Sequence, residues 1–231
     1  MNYQSTDVSV ILPVYNGARY LGEALESIEQ QTAPVGEVII IDDGSTDDTA
    51  KIARESHIVT QYHYQPNQGP QHARNKGLQL ATGKLISFLD ADDLWQQNKI
   101  QRQVAIVCHY EAAIGYSRLL GYEAQPFLFL NLGSALFRSE IFEVIGNFDR
   151  TLSTIDDLDW FFRAREACVQ MSVHHDVVLY HRRHKDNLTK RHAEQNQQDM
   201  LRMLHKSLQR RREQGQLIQP EFGDFRRKRS E

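Results

Sequence analysis

The sequence predicts an α/β fold, a mostly parallel sheet flanked by helices and followed by a helical C-terminal tail. Three observations predict it. Short β-branched runs alternate with stretches whose apolar residues recur at helical spacing, the order that places helices on both faces of a parallel sheet. The run Glu37-Val-Ile-Ile-Ile-Asp42 is nearly all apolar, as a strand covered on both faces must be. A chain of 231 residues, 40% hydrophobic and 25% charged, is also long enough to bury a sizeable core as one α/β domain.

Val8 to Val14 reads as the first strand, and Tyr20, Leu21, Ala24, Leu25 and Ile28 then recur on one helix face. Glu37 to Asp42 is the second strand, with Ser45-Thr-Asp-Asp48 as N-cap material for a helix behind it. His57 to Tyr64 reads as a third strand, and "PNQGP" (66–70) as a turn before a helix over Gln71 to Ala81. Lys84 to Leu89 is the fourth strand; Ile100, Val104 and Val107 share a face of the helix after Trp95. Beyond residue 110 the alternation loosens. "FLFLNLGSALF" (127–137) reads as strand, Ser139 to Ile145 and Asp157 to Ala167 as helices, and "SVHHDVVLYHRR" (172–183) as a last strand. Glu194 to Arg212 is helical, with Met200, Leu201, Leu204 and Leu208 on a face suited to core or dimer packing. The one candidate boundary lies near residue 190, dividing a domain over 1–190 from a tail over 191–231.

The formal charge of −3 hides an asymmetry, because acidic clusters fill the first 160 residues and basic residues crowd the end. Nucleic acid is not expected as the main partner. Arg210-Arg-Arg212 and Arg226-Arg-Lys-Arg229 leave open a contact with anionic lipid or nucleic acid, against a solvated tail, and the tail as a whole leaves open a peripheral membrane contact or a homodimer. Cys108 and Cys168 have neither metal spacing nor a disulfide framework, and read as small core residues in a reducing compartment. No apolar run approaches the roughly 20 residues that span a bilayer, and the N-terminus lacks a basic-then-apolar signal. The expectation is a cytoplasmic protein.

In open α/β sheets, ligands bind beyond the carboxyl ends of the strands. Here the first strand ends at Pro13-Val-Tyr-Asn16, the second at Asp42-Asp-Gly-Ser45 and the fourth at Asp90-Ala-Asp-Asp93. In extended chain, Asp90 and Asp92 point to the same side. Like charges so close raise each other's pKa unless a cation neutralises them, and Mn²⁺ or Mg²⁺ would do so, being bound by carboxylates together with substrate phosphates. The bland alternative is that Asp92 or Asp93 caps a helix starting at Leu94. Asp42 and Asp43 stand equally between a nucleoside contact and an Asx-turn before Gly44. No Gly-X-Gly-X-X-Gly or P-loop sequence occurs, so a diphosphate would be held by metal and side chains.

"VSVILPVYNGARYLGEALESIEQQT", "EVIIIDDGSTDDT" and "NQGPQHARNKGLQLATGKLISFLDADD", in that order, resemble the nucleotide-binding half of a family 2 glycosyltransferase with the GT-A fold. "LGSALFRSEIFEVIGNFD" and "DDLDWFFRA" resemble its acceptor half. The resemblance implies a Rossmann-like GT-A domain, residues 7–95 taking the nucleotide sugar and 110–190 the acceptor. It implies an inverting hexosyl transfer from a nucleotide-diphosphate sugar, a UDP-sugar first, to an acceptor hydroxyl, with Mn²⁺ or Mg²⁺. By the same resemblance Pro13 and Tyr15 line the nucleoside, Tyr15 by packing on the base, Asn16 belongs to the nucleotide-sugar site, and Asp43 hydrogen-bonds uracil. Arg74 approaches the diphosphate. Asp90, Ala91 and Asp92 match the Asp-X-Asp motif, with Asp92 on the metal and Asp90 on the ribose or metal; Asp93 is left as a cap. Asp157 falls on the general base. Asp156 stands where the family usually has Glu, one methylene longer, which puts a direct role for it in doubt; without the resemblance, Asp156 to Asp159 read as an acidic helix start.

His181 and His184 have ligand-pair spacing, but on a strand they would face opposite ways. His184 or Arg182 is nevertheless a further candidate for metal or diphosphate. His174 and His175 read as structural or solvent-facing. Two other functions compete: a sugar nucleotidyltransferase, for which Tyr15-Asn-Gly-Ala-Arg19 is a thin match to the Gly- and Arg-rich loop required, and a non-catalytic sugar-nucleotide-binding protein. The acceptor, whether glycan, lipid-linked or small molecule, is not legible.

Overall fold

A computed structural model describes residues 2–152, 154–184 and 193–213. The basic run 226–229 and the expected boundary near residue 190 lie outside these residues. β1 (Val8–Val14) is central to a parallel half-sheet, pairing with β2 (Glu37–Asp42) on one side and β4 (Leu85–Phe88) on the other. β3 (Gln61–Tyr64) extends it beyond β2. Every β1 residue is buried, because α1 (Leu21–Glu29), α2 (Thr49–Glu55) and α3 (Pro70–Leu80) connect the strands and cover both faces. α1 buries Leu21, Ala24, Leu25 and Ile28, the face read from spacing. α3 starts with Pro70 at its first turn and lies so close to β1 that a Cβ on Gly77 would come within 2.3 Å of Ile11.

Past β4 the sheet is mixed rather than parallel. β7 (Ala135–Arg138) runs antiparallel to β4, and β6 (Ala112–Leu119) antiparallel to β7. β8 (Met171–His181) is parallel to β6, and the two-residue β5 (Leu94–Trp95) closes the order β3-β2-β1-β4-β7-β6-β8-β5. β6 escapes a reading of local pattern: Gly115 interrupts its apolar run, and its register against β8 shifts at Tyr116. In "FLFLNLGSALF", only Ala135–Arg138 is a strand; Phe127 makes a single bridge to Ser117.

α4 (Lys99–Val107) buries Ile100, Val104 and Val107 as expected, but begins after β5 rather than at Leu94. α5 (Glu140–Ile145) and α6 (Asp156–Glu166) pack with β7 around Phe137, Phe142, Phe148 and Trp160. α7 (Ala193–Glu213) docks on α6 by another face than Met200, Leu201, Leu204 and Leu208, so of the core and dimer uses expected for that face the core one does not hold. Met200, Leu201, Leu204 and Leu208 are 36%, 69%, 43% and 55% exposed, whereas Asp199, Met203 and Ser207 are buried. The acids below explain the choice of face: Glu166 accepts from Arg210 Nε at 2.6 Å, Asp149 pairs with Lys206, and Met203 fills the gap between Leu152 and Ile155.

No helix of the described residues is long and apolar enough to cross a membrane. The cysteines depart from the expected core placement. Cys108 is half-buried, and Cys168 is exposed at φ 59°, in the left-handed turn that ends α6.

Candidate functional site

The carboxyl ends of β1, β2 and β4 converge, and the loops there are pinned to one another. Asn16, held at φ 49°, donates its backbone N–H to Ser45 Oγ at 2.8 Å and accepts from the Thr46 N–H through Oδ1 at 2.8 Å. Gly17 N–H donates to Thr49 Oγ1 at 2.9 Å, and Ala18 N–H to Asp47 at 3.1 Å. Asp47, which also accepts from the Thr49 N–H, supplies the helix-start contact expected from residues 45–48. This bracing presents Tyr15, 55% exposed, at the mouth of the strand ends, above buried Pro13.

The adjacent carboxylates Asp42 and Asp43 are both buried, and both hold loops. Asp42 accepts from Ser45 N–H at 2.8 Å and from Tyr62 Oη at 2.6 Å. Asp43 accepts from Gln65 Nε2 at 2.7 Å, Gln68 N–H at 3.0 Å and Gly69 N–H at 2.7 Å. Gly69 sits at φ 95°, a conformation open to glycine at little cost, and its turn launches α3. Asp43 therefore shapes the loop opposite Tyr15, its carboxylate already occupied by three donors.

At the tip of β4, Asp90 accepts from Arg74 Nη2 at 3.1 Å. Ala91 is half-buried and lies against Gly17. Asp92 lies 2.8 Å from His184 Nε2, and burial, then Asp90 beside it, pushes its carboxyl above the usual range. Asp93 is no helix cap. It is 1% exposed, accepts from the Arg182 N–H at 2.9 Å and meets His181 Nδ1 at 3.1 Å. Burial pushes Asp93 up to about 6, with His181 opposing, and the Asp93 hydrogen bond raises His181 in turn.

His181 and His184 thus both reach the acidic cluster, contrary to the opposite-face expectation. Strand β8 ends at His181, so strict alternation no longer governs residue 184. Arg182 fastens the segment further, donating to the Asp92 carbonyl at 2.9 Å and to Glu23 at 2.6 Å while its guanidinium sits 4.7 Å from the Tyr20 ring. Glu23, on α1, frames the site and was not singled out; Tyr20, read from spacing as part of the helix's apolar face, instead faces Arg182 and His184. His174 is half-buried against Gln103, and His175 is exposed, as read.

The second acidic cluster opens α6. Asp156 is 3% exposed and accepts from Arg74 Nη1 at 2.7 Å. Flanked by two carboxylates, Arg74 is held more firmly protonated than usual. Asp157 accepts from the Leu158 N–H at 2.7 Å; burial and the neighbouring Asp156 push it up to about 7, with Arg74 opposing. Asp159 turns away to Arg163 Nε at 2.8 Å.

Among the described residues, no group of three or more His, Cys, Asp or Glu is placed to hold a metal ion. The carboxylates of Asp90 and Asp92 are oxygen donors of the kind Mn²⁺ and Mg²⁺ take together with phosphate oxygens. The raised Asp92 carboxyl fits that reading, since a cation there would relieve its repulsion with Asp90.

A family model described as glycosyl transferase family 2 matches residues 9–219. Over 217 residues the chain is 34% identical to an uncharacterized glycosyltransferase of Rickettsia typhi, covering 81% of this chain and 67% of that protein. The chain spans 17% to 67% of the length of the first rickettsial relatives it matches. Among solved structures it is similar to the mannosyltransferase PcManGT from Pyrobaculum calidifontis, in complex with GDP-Man and Mn²⁺, with TM-score 0.71 and 23% identity over 90% of this chain and 65% of that one. It is also similar to S. aureus TarS 1-349 in complex with UDP-GlcNAc, with TM-score 0.71 and 22% identity over 78% and 59% of the respective chains. Likeness at this identity is one of fold, and the fold is the expected GT-A type. Because the family match runs from β1 through α7, the chain belongs to glycosyl transferase family 2.

Proposed function

We propose that the protein transfers a sugar from a nucleotide-diphosphate sugar, a UDP-sugar first, to an acceptor hydroxyl with inversion at the anomeric carbon. One observation carries the reading: a single buried guanidinium, Arg74, bonds both Asp90 of the Asp-X-Asp motif and Asp156 beside the expected base. Donor-side and acceptor-side carboxylates therefore meet on one side chain. In this reading Tyr15 packs on the base and Pro13 and Asn16 line the nucleoside. Asp43 acts on uracil or through the 65–69 loop it holds, and Arg74 lends its charge to the diphosphate side. Asp90, Ala91 and Asp92 form the wall nearest the ribose and diphosphate.

Asp90 and Asp92, with His184 as a further donor, would hold Mn²⁺ or Mg²⁺, whose chemistry there is to neutralise charge on the departing diphosphate. Asp157 takes the proton of the acceptor hydroxyl as that oxygen bonds the anomeric carbon and the bond to the diphosphate oxygen breaks. A carboxyl raised to about 7 is matched to that task near neutral pH. The base needs to be separate from the metal carboxylates, and it comes from another element, α6.

The test is to incubate the protein with UDP-, GDP- and dTDP-sugars and Mn²⁺ and follow nucleoside diphosphate release with and without acceptors. Release dependent on Mn²⁺ is expected. Pyrophosphate release from a sugar phosphate and a nucleoside triphosphate would select a nucleotidyltransferase instead, and metal-dependent UDP binding without turnover would select a non-catalytic binding protein.

A further inference from the structure

Arg74 belongs by sequence to the donor half, yet its contacts reach into the other. Its side chain is about nine-tenths buried between Asp156, 82 residues away, and Asp90. Its Nε has no hydrogen-bond partner, so the two Nη atoms carry the contacts. The next residue repeats the pattern. Asn75, 1% exposed, donates from Nδ2 to the Phe148 carbonyl at 2.9 Å and accepts from the Phe148 N–H at 2.8 Å. Consecutive side chains of α3 thus tie down both ends of the segment 148–156 that delivers the chain into α6.

We infer that Arg74 is a positioning residue for the reaction, acting through Asp156 to fix where Asp157 stands relative to Asp90. The inference rests on the transferase reading above. Asp157 is the next residue after Asp156 and accepts its own helix's Leu158 N–H, so its carboxylate is placed by wherever the first turn of α6 is placed. That turn is anchored by Asp156 on the Arg74 fork. A guanidinium suits the task because its planar donors can engage two carboxylates at once, whereas an ammonium is a point charge. The short Asp156 then has its own reason: it serves as the buried counter-charge of Arg74 and need not reach the acceptor. A misplacement near 1 Å costs on the order of 100-fold in rate, which sets the expected effect.

The decisive experiment compares wild type, Arg74→Gln, Asp156→Asn and the double variant. It measures UDP release from UDP-GlcNAc and GDP release from GDP-mannose with Mn²⁺, alongside calorimetric affinity for UDP and GDP with Mn²⁺. Each single variant should lower kcat about 100-fold, and the double variant should match the worse single within about twofold, because both break one coupling. Asp156→Asn should leave nucleotide affinity within about twofold of wild type. Additive losses in the double variant would overturn the positioning role alone and leave Arg74 only its action on the diphosphate side. So would an Asp156→Asn variant that loses as much nucleotide affinity as turnover. If Arg74→Gln fails to fold, the isosteric Asp156→Asn decides: wild-type turnover overturns the proposal. A wild-type protein that neither binds nor turns over either nucleotide overturns the transferase reading and this role with it.

Discussion

Asp90-Ala-Asp-Asp93 and Asp156-Asp-Leu-Asp159 are the same composition, three carboxylates in four residues, put to different use by their surroundings. At the end of β4, each carboxylate has a cationic or potentially cationic neighbour from a distant element: Arg74 for Asp90, His184 for Asp92, His181 for Asp93. At the start of α6, the outer two are paired with Arg74 and Arg163, while Asp157 has no ion pair with any described residue and accepts a backbone N–H. The first arrangement gives every acid a partner brought from elsewhere in the chain. The second spends two acids on structure and leaves one with a raised pKa. The number of carboxylates does not separate these outcomes; the partner each carboxylate finds does.

The comparison breaks if the two clusters respond alike. Asp157→Asn should lower turnover at least about 1000-fold, within the range for a lost general base, while Mn²⁺-dependent UDP affinity in calorimetry stays at wild type. Loss of affinity as well would return Asp157 to the donor site. Asp92→Asn should do the reverse first, weakening Mn²⁺-dependent UDP binding by at least the roughly 10–100-fold that even an outer-shell metal partner is worth. Unchanged affinity would remove Asp92 from the metal site. A sharper version uses pH. Asp157 must be ionised to accept a proton, so kcat/KM should rise with a limb near pH 7 and level off above it; a limb near 4 would mean that the acceptor or metal resets the group entirely.

The halves of the chain were unequally legible. From β1 to β4 each strand is followed at once by the helix that covers it, so local periodicity carried the architecture, and the strand-end acids Asp43, Asp90 and Asp92 were visible as a set. Beyond residue 110 the sheet is built from pairings between distant strands. β6 depends on β7 and β8 for its burial, and its glycine and register shift erase the alternation. The same cause hid Asp93: a helix cap was a sound local reading until β5 paired with β8 and brought His181 and Arg182 over it. α7 shows the limit of hydrophobic spacing. Four aligned apolar residues mark a face for core or dimer packing; within this chain that face is exposed, and Lys206 and Arg210 of the helix meet Asp149 and Glu166 instead. Arg74 was legible as a basic residue near the site, but its tie to Asp156 spans 82 residues, and no local signal announces it.

The finest test uses stability rather than rate, and sets adjacent residues against each other. Asp157 has a folded pKa near 7, above the usual 3.8, so the folded state binds the proton more tightly than the unfolded one. By linkage, stability falls as pH rises from about 4 to about 7 and stays low above that. Asp157→Asn removes the penalty: it should raise Tm above pH 7 and leave it unchanged below pH 4, where the aspartic acid is already neutral. Asp156→Asn should act in the opposite direction at neutral pH, since breaking one side of a buried ion pair costs about 3–5 kcal/mol and strands part of the Arg74 charge. Neighbouring carboxylates on one helical turn would then give Tm changes of opposite sign. The residue whose removal stabilises the fold would be the one whose removal ends catalysis, as expected where an active site holds a charge that folding alone would not choose.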